Sequence, residues 1–285
     1  MSTKINENKP IVYQIKGKSL SFETAQVMAI INLTPDSFYD GGKYGDVNDI
    51  VRDAEEKVKQ GATILDLGAF SSRPNAIEIS EDEEWKRLEG PLKELRKQFA
   101  GVFISVDTYR SGIAKKADAL GADIINDISG GSLDADMFTT VSKLDVAYVM
   151  MHMKGTPQTM QQSPDYGDVV YEVRSEFEKK LKVLGDLGCA KILLDPGFGF
   201  GKTTAHNYQL LKQLEQFTEL GFPVLAGLSR KSMINKVIGT NPVTALNGTT
   251  VLNSIALLNG AKILRVHDVK EAMQSIALVE YYNQQ

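Results

Sequence analysis

Residues 187–202 read LGCAKILLDPGFGFGK, and this stretch contains the complete repeating unit from which the fold can be predicted. Gly188 follows an amphipathic helical segment, as glycine commonly does where a helix ends. The apolar run 191–194 comes next without polar alternation, which is typical of a parallel strand buried on both faces. Asp195 then begins a glycine-rich loop. The stretch therefore predicts a helix end, a buried strand and a polar loop, in that order.

The same unit recurs along the rest of the chain. Glycines equivalent to Gly188 precede other apolar runs at Gly61, Gly121, Gly221 and Gly260. The predicted strands are residues 27–31, 63–67, 102–106, 123–126, 146–151, 191–194, 223–226 and 262–266. Amphipathic helical segments lie between them. This alternation predicts an α/β fold, namely a (β/α)₈ TIM barrel. An open doubly wound sheet is the alternative, but it usually has a glycine-rich turn after the first strand, which residues 27–35 lack.

The length of 285 residues suits one such barrel, since this fold typically takes about 250 residues. We therefore expect a single domain over residues 1–285. Residues 11–22 predict a short β-hairpin at the barrel bottom, within an N-terminal extension of residues 1–24.

Composition limits the partners and the compartment. The net charge of −4 argues against nucleic acid or an anionic membrane as the main partner. The single cysteine, Cys189, cannot form an intramolecular disulfide. The polar N-terminal residues do not resemble a signal peptide, and no apolar run approaches the ~20 residues of a membrane span. A cytoplasmic protein is expected.

Polar side chains follow every predicted strand, where barrel enzymes carry their active sites. They include Asn32, Asp107, Asn126, Asp195, Lys231, Arg265 and His267. A single Asp, Asn, Ser or Thr at such a position could simply cap a helix. Cations at helix N-termini oppose the helix dipole, however, so Lys231, Arg265 and His267 predict a bound anion.

The residue types also suggest the ligand. Buried carboxylates at Asp107 and Asp195 must be paired or protonated, and a flat heterocycle with an amino-imino edge would satisfy one of them. Asn126 can donate and accept in the same plane, and Lys231 can donate to a ring oxygen or nitrogen. We expect Arg265 and His267, with Asn32, to bind a phosphate or diphosphate, which Mg²⁺ would normally bridge.

The glycine-rich run after Asp195 fits neither phosphate-binding fingerprint. Its P-loop spacing fails because Pro196 occupies the first glycine position, and its dinucleotide spacing fails at Lys202. We interpret it as a flexible loop that lets Asp195 and Phe200 line a ligand.

Eight segments in order identify a resemblance to the dihydropteroate synthase family, from Val27 to about Met273. They are residues 32–42 (NLTPDSFYDGG), 71–74 (SSRP), 105–109 (SVDTY), 125–131 (INDISGG), 151–160 (MHMKGTPQTM), 194–202 (LDPGFGFGK), 227–234 (GLSRKSMI) and 264–270 (LRVHDVK). The resemblance implies that 6-hydroxymethyl-7,8-dihydropterin pyrophosphate condenses with 4-aminobenzoate, giving 7,8-dihydropteroate and pyrophosphate through a carbocation-like step. It also implies a cytoplasmic homodimer, with sulfonamides as inhibitors.

The resemblance further assigns roles to individual residues. The pterin would be held by Asp107, Asn126, Asp195 and Lys231. The pyrophosphate would be held by Asn32, Arg265 and His267, with Mg²⁺ at Asn32. The aminobenzoate pocket would include Asp40, Ser72, Arg73, Pro74, Phe200 and Ser232. Of these, Asp107, Asp195, Lys231, Arg265 and His267 would be the catalytic residues.

Four positions depart from the family pattern: Tyr39, Phe70, Ser72 and Asn75, where the family usually has Ser, Glu, Thr and Gly. They affect the aminobenzoate loops and leave the pterin residues unchanged. Two other functions remain open: a methyltetrahydrofolate-binding methyltransferase barrel, and a catalytically inactive pterin-binding paralogue.

Overall fold

The computed structural model describes residues 10–33, 46–70, 78–157, 159–160 and 164–285. The strands are β1 (Val12–Ile15), β2 (Lys18–Ser21), β3 (Gln26–Asn32), β4 (Ile64–Gly68), β5 (Phe103–Asp107), β6 (Ile124–Asp127), β7 (Ala147–Met151), β8 (Ile192–Asp195), β9 (Leu225–Ala226) and β10 (Ile263–Val266). The helices are α1 (Val47–Lys59), α2 (Glu81–Gln98), α3 (Ser111–Ala119), α4 (Met137–Val141), α5 (Val169–Asp186), α6 (Thr204–Lys212), α7 (Glu215–Thr218), α8 (Ser232–Ile238), α9 (Leu246–Leu258) and α10 (Val269–Asn283).

Strands β3 to β10 form a parallel eight-stranded sheet in which consecutive strands from β3 to β8 pair with each other, and β10 pairs with both β3 and β9. A parallel bridge between Leu194 and Val224 joins β8 to the segment that leads into β9. These contacts close the sheet, so the predicted barrel is confirmed. Strand β9 has only two residues, fewer than the run 223–226 predicted.

The barrel strands are buried on both faces, as their unbroken apolar sequences predict. In β3, Val27, Ala29 and Ile31 pack in the layer between the strands and the helices. Met28 belongs instead to the barrel interior, together with Phe103. Because successive strand residues point to opposite faces, each strand contributes to both cores.

Helix α5 shows how the sequence sets the helix bounds. The Asp168 side chain caps its N-terminus by accepting from the backbone N–H groups of Val170 and Tyr171. Gly188, just beyond the C-terminus, has φ +79°, a left-handed conformation that glycine adopts without steric cost. Among the described residues, no helix has both the length and the apolar character needed to span a membrane.

The hairpin of β1 and β2 lies at the amino ends of the strands, as predicted. The Tyr13 hydroxyl donates to the carbonyl of Ile192, the first residue of β8, over 2.7 Å. Tyr13 and Phe22 stack edge to face, with centroids 5.4 Å apart. Both side chains belong to the interior cluster that contains Met28 and Phe103. The hairpin therefore plugs the bottom of the barrel with its own apolar side chains.

This arrangement predicts that Phe22→Ala lowers the free energy of unfolding by about 3–5 kcal/mol, because truncation of a buried phenylalanine loses apolar burial and leaves a cavity. Phe22 is only 2% exposed. Urea unfolding followed by circular dichroism measures the change. The exposed Ser19→Ala in the same hairpin is the control, and equal effects of the two substitutions would contradict the role of the hairpin as a plug.

Candidate active site

Three carboxylates lie at the carboxyl ends of the barrel strands. Asp66 lies near the end of β4, while Asp107 and Asp195 are the last residues of β5 and β8. The parallel register pairs Asp107 with Asn126 of β6, so these two predicted site residues are neighbours. Asp66 is 0% and Asp195 5% exposed. The strands therefore hold the carboxylates in fixed positions away from water.

Arg265 of β10 connects two of these carboxylates. Its Nε donates to Asp66 Oδ2 over 2.7 Å, and its Nη2 donates to Asp107 Oδ2 over 2.9 Å. The same Asp66 oxygen accepts from Asn126 Nδ2 over 3.1 Å. Asp66 thus orients two predicted site residues at once, although it was not among the predicted ones itself. An aspartate inside an otherwise apolar buried strand was the available signal.

Burial and charge shift the pKa values of these groups in opposite directions. Burial raises the pKa of Asp107 to about 8, although the adjacent Arg265 opposes the shift. Burial also raises the pKa of Asp195, against the opposing effect of Lys231. For Arg265, burial works against the charged form, but Asp66 and Asp107 together raise its pKa above the usual value. Arg265 is therefore charged at all physiological pH values.

Two carboxylate oxygens in this cluster have an unused capacity to accept hydrogen bonds. Within the described residues, no donor reaches the buried atoms Asp66 Oδ1 and Asp107 Oδ1. Buried polar groups are normally hydrogen-bonded. The site therefore has acceptors for the N–H groups of a ligand.

Lys231 stands at the N-cap of α8, and its ammonium group is directed back toward the β8–α6 loop. Its Nζ donates to the Phe198 carbonyl and lies 4.9 Å from the centre of the Phe200 ring. Burial lowers the pKa of Lys231 to about 8, while Asp195 works in the opposite direction. Ser232, the first residue of α8, is exposed at the surface.

The predicted anion-binding residues line one cavity. It is bounded by Ile30, Asn32, Gly227, Ser229, Lys231, Arg265 and His267. The backbone N–H of His267 donates to Ser229 Oγ over 3.2 Å, and that hydroxyl lies 2.9 Å from His267 Nδ1. Since Ser229 Oγ accepts from the backbone, it can donate to Nδ1, which leaves the ring proton on Nε2.

The structure corrects the charge expected for His267. The sequence suggested a cation, but burial and the nearby Arg265 lower the pKa of His267 to about 3. In the free protein this imidazole is therefore neutral. It can offer an anion one N–H donor, and Arg265 supplies the positive charge.

Aromatic and methionine side chains form an apolar wall at the same end. Phe70, Tyr109 and Phe200 pack against a buried cluster of Ile128, Met151, Met153 and Met160. The rings of Phe70 and Tyr109 meet edge to face at 5.3 Å. Phe70 replaces a charged family residue, and this apolar contact is its physical explanation.

Four predicted aminobenzoate residues, Asp40, Ser72, Arg73 and Pro74, lie outside the described residues, as do Tyr39 and Asn75. In the part of the chain that is described, no three His, Cys, Asp or Glu side chains come together as a metal site. Asn32, the predicted Mg²⁺ ligand, lines the same cavity as Arg265 and His267.

Comparison with known proteins agrees with this geometry. Residues 28–267 match a family model described as pterin binding enzyme. The chain is 41% identical over 271 residues to the dihydropteroate synthase of Escherichia coli K12, covering 93% of this chain and 94% of that one.

Two solved structures show the same likeness. One is the Yersinia pestis dihydropteroate synthase in complex with a sulfonamide drug, with a TM-score of 0.92, 36% identity and coverage of 96% and 99% of the two chains. The other is the Xanthomonas albilineans enzyme with 4-aminobenzoic acid, with a TM-score of 0.90, 35% identity and coverage of 97% and 100%.

The closed barrel, its buried carboxylates and the matching family model define a pterin-binding (β/α)₈-barrel enzyme. Among such enzymes, this chain belongs to the dihydropteroate synthase family. Of the two pterin-binding enzymes that the sequence left open, the relatives identify the synthase rather than the methyltransferase.

The raised pKa of Asp107 predicts how stability depends on pH. Between about pH 4 and pH 8 the folded protein retains a proton that the unfolded chain has lost. The stabilising contribution of this bound proton is thus complete below pH 4 and disappears as the pH rises through 8. Asp107→Asn should remove up to about 1.4 kcal/mol per pH unit from the slope of the unfolding free energy.

Urea unfolding of both proteins at pH 5, 6 and 7 measures this slope, and subtraction cancels the contributions of groups that do not interact with Asp107. The expected result is that the wild type loses stability relative to the variant as the pH rises. Parallel curves would show that Asp107 is ionised throughout this range.

Proposed function

We propose that this enzyme condenses 6-hydroxymethyl-7,8-dihydropterin pyrophosphate with 4-aminobenzoate, releasing 7,8-dihydropteroate and pyrophosphate. The observation that supports it most directly is the position of Arg265. Its guanidinium binds Asp66 and Asp107 and also lines the cavity that contains Asn32 and His267. A ligand that lies across Arg265 would need a cationic or N–H-rich part on one side and an anionic part on the other, as the pterin substrate has.

The pterin ring would bind among Asp107, Asn126, Asp195 and Lys231. The unused Oδ1 of Asp107 offers an acceptor for ring or amino N–H groups. Asn126 can donate and accept in one plane, and Lys231 can donate to the ring carbonyl or a ring nitrogen. Asp66 would hold Asn126 in place through their hydrogen bond.

The pyrophosphate would bind to Arg265, His267 and Asn32. Arg265 supplies the charge and a planar set of donors suited to phosphate oxygens. With Ser229 Oγ donating to Nδ1, the neutral His267 ring would supply an N–H donor at Nε2.

The residues present fit a Mg²⁺ ion that is held mainly by its substrate. Mg²⁺ commonly binds one or two protein oxygens together with substrate phosphates and water, and Asn32, whose side-chain amide contains an oxygen of this type, lines the same cavity as Arg265 and His267. When bound, the ion would neutralise charge on the leaving pyrophosphate.

The reaction breaks the C–O bond between the pterin methylene carbon and the pyrophosphate. The electron pair leaves with the pyrophosphate, and a carbocation-like centre develops beside the ring. Fixed carboxylates in a water-poor site stabilise such a charge. Hydrogen bonds from the N–H groups of a bound pterin would favour the ionised forms of Asp107 and Asp195, and stabilisation of the developing cation would then be their catalytic role. The amino nitrogen of 4-aminobenzoate then forms the new C–N bond and releases one proton.

The aminobenzoate would lie against Phe200 and Ser232, within loops that carry Asp40, Ser72, Arg73 and Pro74. Phe200 belongs to the apolar wall with Phe70 and Tyr109, which suits an aromatic ring. Because related enzymes have been solved with 4-aminobenzoic acid and with a sulfonamide drug, we expect sulfonamides to compete here too. We place the reaction in the cytoplasm.

An assay of pyrophosphate release with both substrates and Mg²⁺ tests the proposal. Asp195→Asn should lower kcat/KM at least about 100-fold and weaken binding of the pterin substrate, because it removes a preorganised charge. Asp123→Asn is the matched control, since Asp123 is also buried (1% exposed) but pairs with Lys18 and Arg96 at the barrel bottom.

A wild-type protein that releases no pyrophosphate would contradict the proposed reaction and favour an inactive paralogue. Product formation from a methyl donor would favour the methyltransferase. Unchanged affinity of Asp195→Asn for the pterin substrate would refute the proposed pterin pocket but would not refute the proposed reaction.

We also propose that the enzyme is a homodimer formed through α9 and α10. These helices pack against each other and carry apolar side chains that are exposed in one chain. In α9 they are Val251, Ile255 and Leu258, which recur at helical spacing; in α10 they are Leu278, Tyr281 and Tyr282. An apolar surface of this kind is typical of a protein interface.

This proposal predicts that Leu258→Asp converts a dimer into a monomer at micromolar concentrations, because it places a charge within an apolar interface. Sedimentation velocity measures the change. Val183→Asp is the control, since Val183 is similarly exposed (48% against 51%) but belongs to α5. A monomeric wild type, or dissociation by both substitutions, would refute the interface.

A further inference from the structure

Lys202 is buried at the end of the glycine-rich loop, and the substrate roles described above do not include it. Its side chain is only 4% exposed. Its Nζ lies 3.0 Å from the Gly197 carbonyl oxygen, 2.9 Å from that of Phe200 and 3.2 Å from that of His152. The fourth neighbour is His152 Nδ1 at 3.0 Å. This ammonium group is thus surrounded by acceptors from two loops, β7–α5 and β8–α6.

The two loops approach so closely that only glycine fits at two positions. A Cβ atom at Gly197 would lie 2.0 Å from the His152 carbonyl oxygen, and one at Gly201 would lie 2.7 Å from the carbonyl oxygen of Lys154. Both glycines have positive φ, +70° and +58°. These glycines allow close packing and point carbonyl groups inward. The loop that the sequence predicted to be flexible is therefore closely packed against the β7–α5 loop in this structure.

The loop that Lys202 binds carries three elements of the proposed site. The Gly197 N–H donates to Asp195 Oδ1 over 2.7 Å, and the Phe198 carbonyl accepts from Lys231. The Phe200 ring belongs to the apolar wall. A change in the direction of these carbonyls would therefore shift Asp195, which is proposed to bind the pterin. It would also shift the acceptor of Lys231 and the ring of Phe200.

We propose that Lys202 is a positioning residue for catalysis: its ammonium group binds the carbonyls of His152, Gly197 and Phe200 and thereby fixes the loop that orients Asp195, Lys231 and Phe200. The inference rests on the proposed function of that site. Lys202 does not act as a phosphate-binding lysine, because its donors point at backbone carbonyls within the protein.

His152 completes the arrangement around Lys202. Its Nε2 lies 3.3 Å from Glu176 Oε2, so Nε2 carries the proton and Nδ1 is free to accept from Lys202. Burial lowers the pKa of His152 to about 4, with Lys202 acting in the same direction. The imidazole beside Lys202 is therefore neutral at pH values well above 4, and it does not repel the ammonium group.

Stability alone does not explain this lysine. Burial lowers the pKa of Lys202 to about 7, so the charged form is disfavoured by its surroundings. Among the described residues, no carboxylate lies within salt-bridge distance of it, and an unpaired buried charge is costly. An apolar side chain of similar length would avoid this cost but could not bind the carbonyls.

The test compares Lys202→Met with Lys18→Met. Lys18 also directs its ammonium group at a backbone carbonyl, that of Val102, and at Asp123, but at the barrel bottom. We expect Lys202→Met to lower kcat/KM for the pterin pyrophosphate about 10- to 100-fold, because a small misplacement of the groups that bind the substrate slows the reaction by this order of magnitude. It should raise KM for 4-aminobenzoate as well. Lys18→Met should leave both constants within about twofold of the wild type.

Amide hydrogen exchange supplies a readout that does not require activity. Faster exchange at residues 197–201 is expected in Lys202→Met and not in Lys18→Met. In Lys202→Ala, added methylammonium should restore both kcat/KM and protection of this loop, whereas sodium should not. A wild-type protein without activity would refute the proposed function. Amide hydrogen exchange would then still show whether Lys202 fixes the loop. Unchanged kinetic constants in an active background, or unchanged exchange, would overturn the role of Lys202.

Discussion

One guanidinium faces two carboxylates at the carboxyl ends of the barrel strands, where water has little access. Arg265 reaches Asp66 and Asp107 from β10, across the mouth of the barrel. Because a buried charge without a partner destabilises a protein by several kcal/mol, these side chains must keep their positions. The strand register supplies that rigidity, since it pairs Asp107 directly with Asn126. The geometry of the site is thus a consequence of sheet hydrogen bonding and needs no flexible element.

Much of this could be predicted from the sequence because one pattern carries two kinds of information. An unbroken apolar run indicates a strand buried on both faces, and the polar residue that ends it indicates the mouth of a barrel. Asp107, Asn126, Asp195 and Arg265 were found in this way. Asp66 was given no role, because its importance depends on its contacts with Arg265 and Asn126, which the sequence does not show. Which strand ends contact each other depends on register, and a single sequence does not encode register directly.

The chemistry of individual residues was harder to predict than their location. His267 was expected to be a cation, yet burial and its neighbour Arg265 lower its pKa and keep it neutral. The glycines after Asp195 suggested flexibility, yet Lys202 binds the carbonyl groups of that loop. In both cases the deciding partner lies close in space but contributes no recognisable pattern to the sequence. Residue type fixes which roles are possible, whereas the neighbours determine which role is taken.

The two ends of the barrel contain similar residues but balance their charges differently. At the bottom, Asp123 is paired with both Lys18 and Arg96, so two cations face one carboxylate. At the mouth, Arg265 is shared between two carboxylates, and Lys231 is the cation that lowers the pKa of Asp195 most strongly against the effect of burial. An unpaired oxygen alone does not mark a ligand site, because Asp123 Oδ1 also has no partner among the described residues. The larger number of carboxyl groups distinguishes the mouth, and their ionised forms would favour a reaction in which positive charge develops on the substrate.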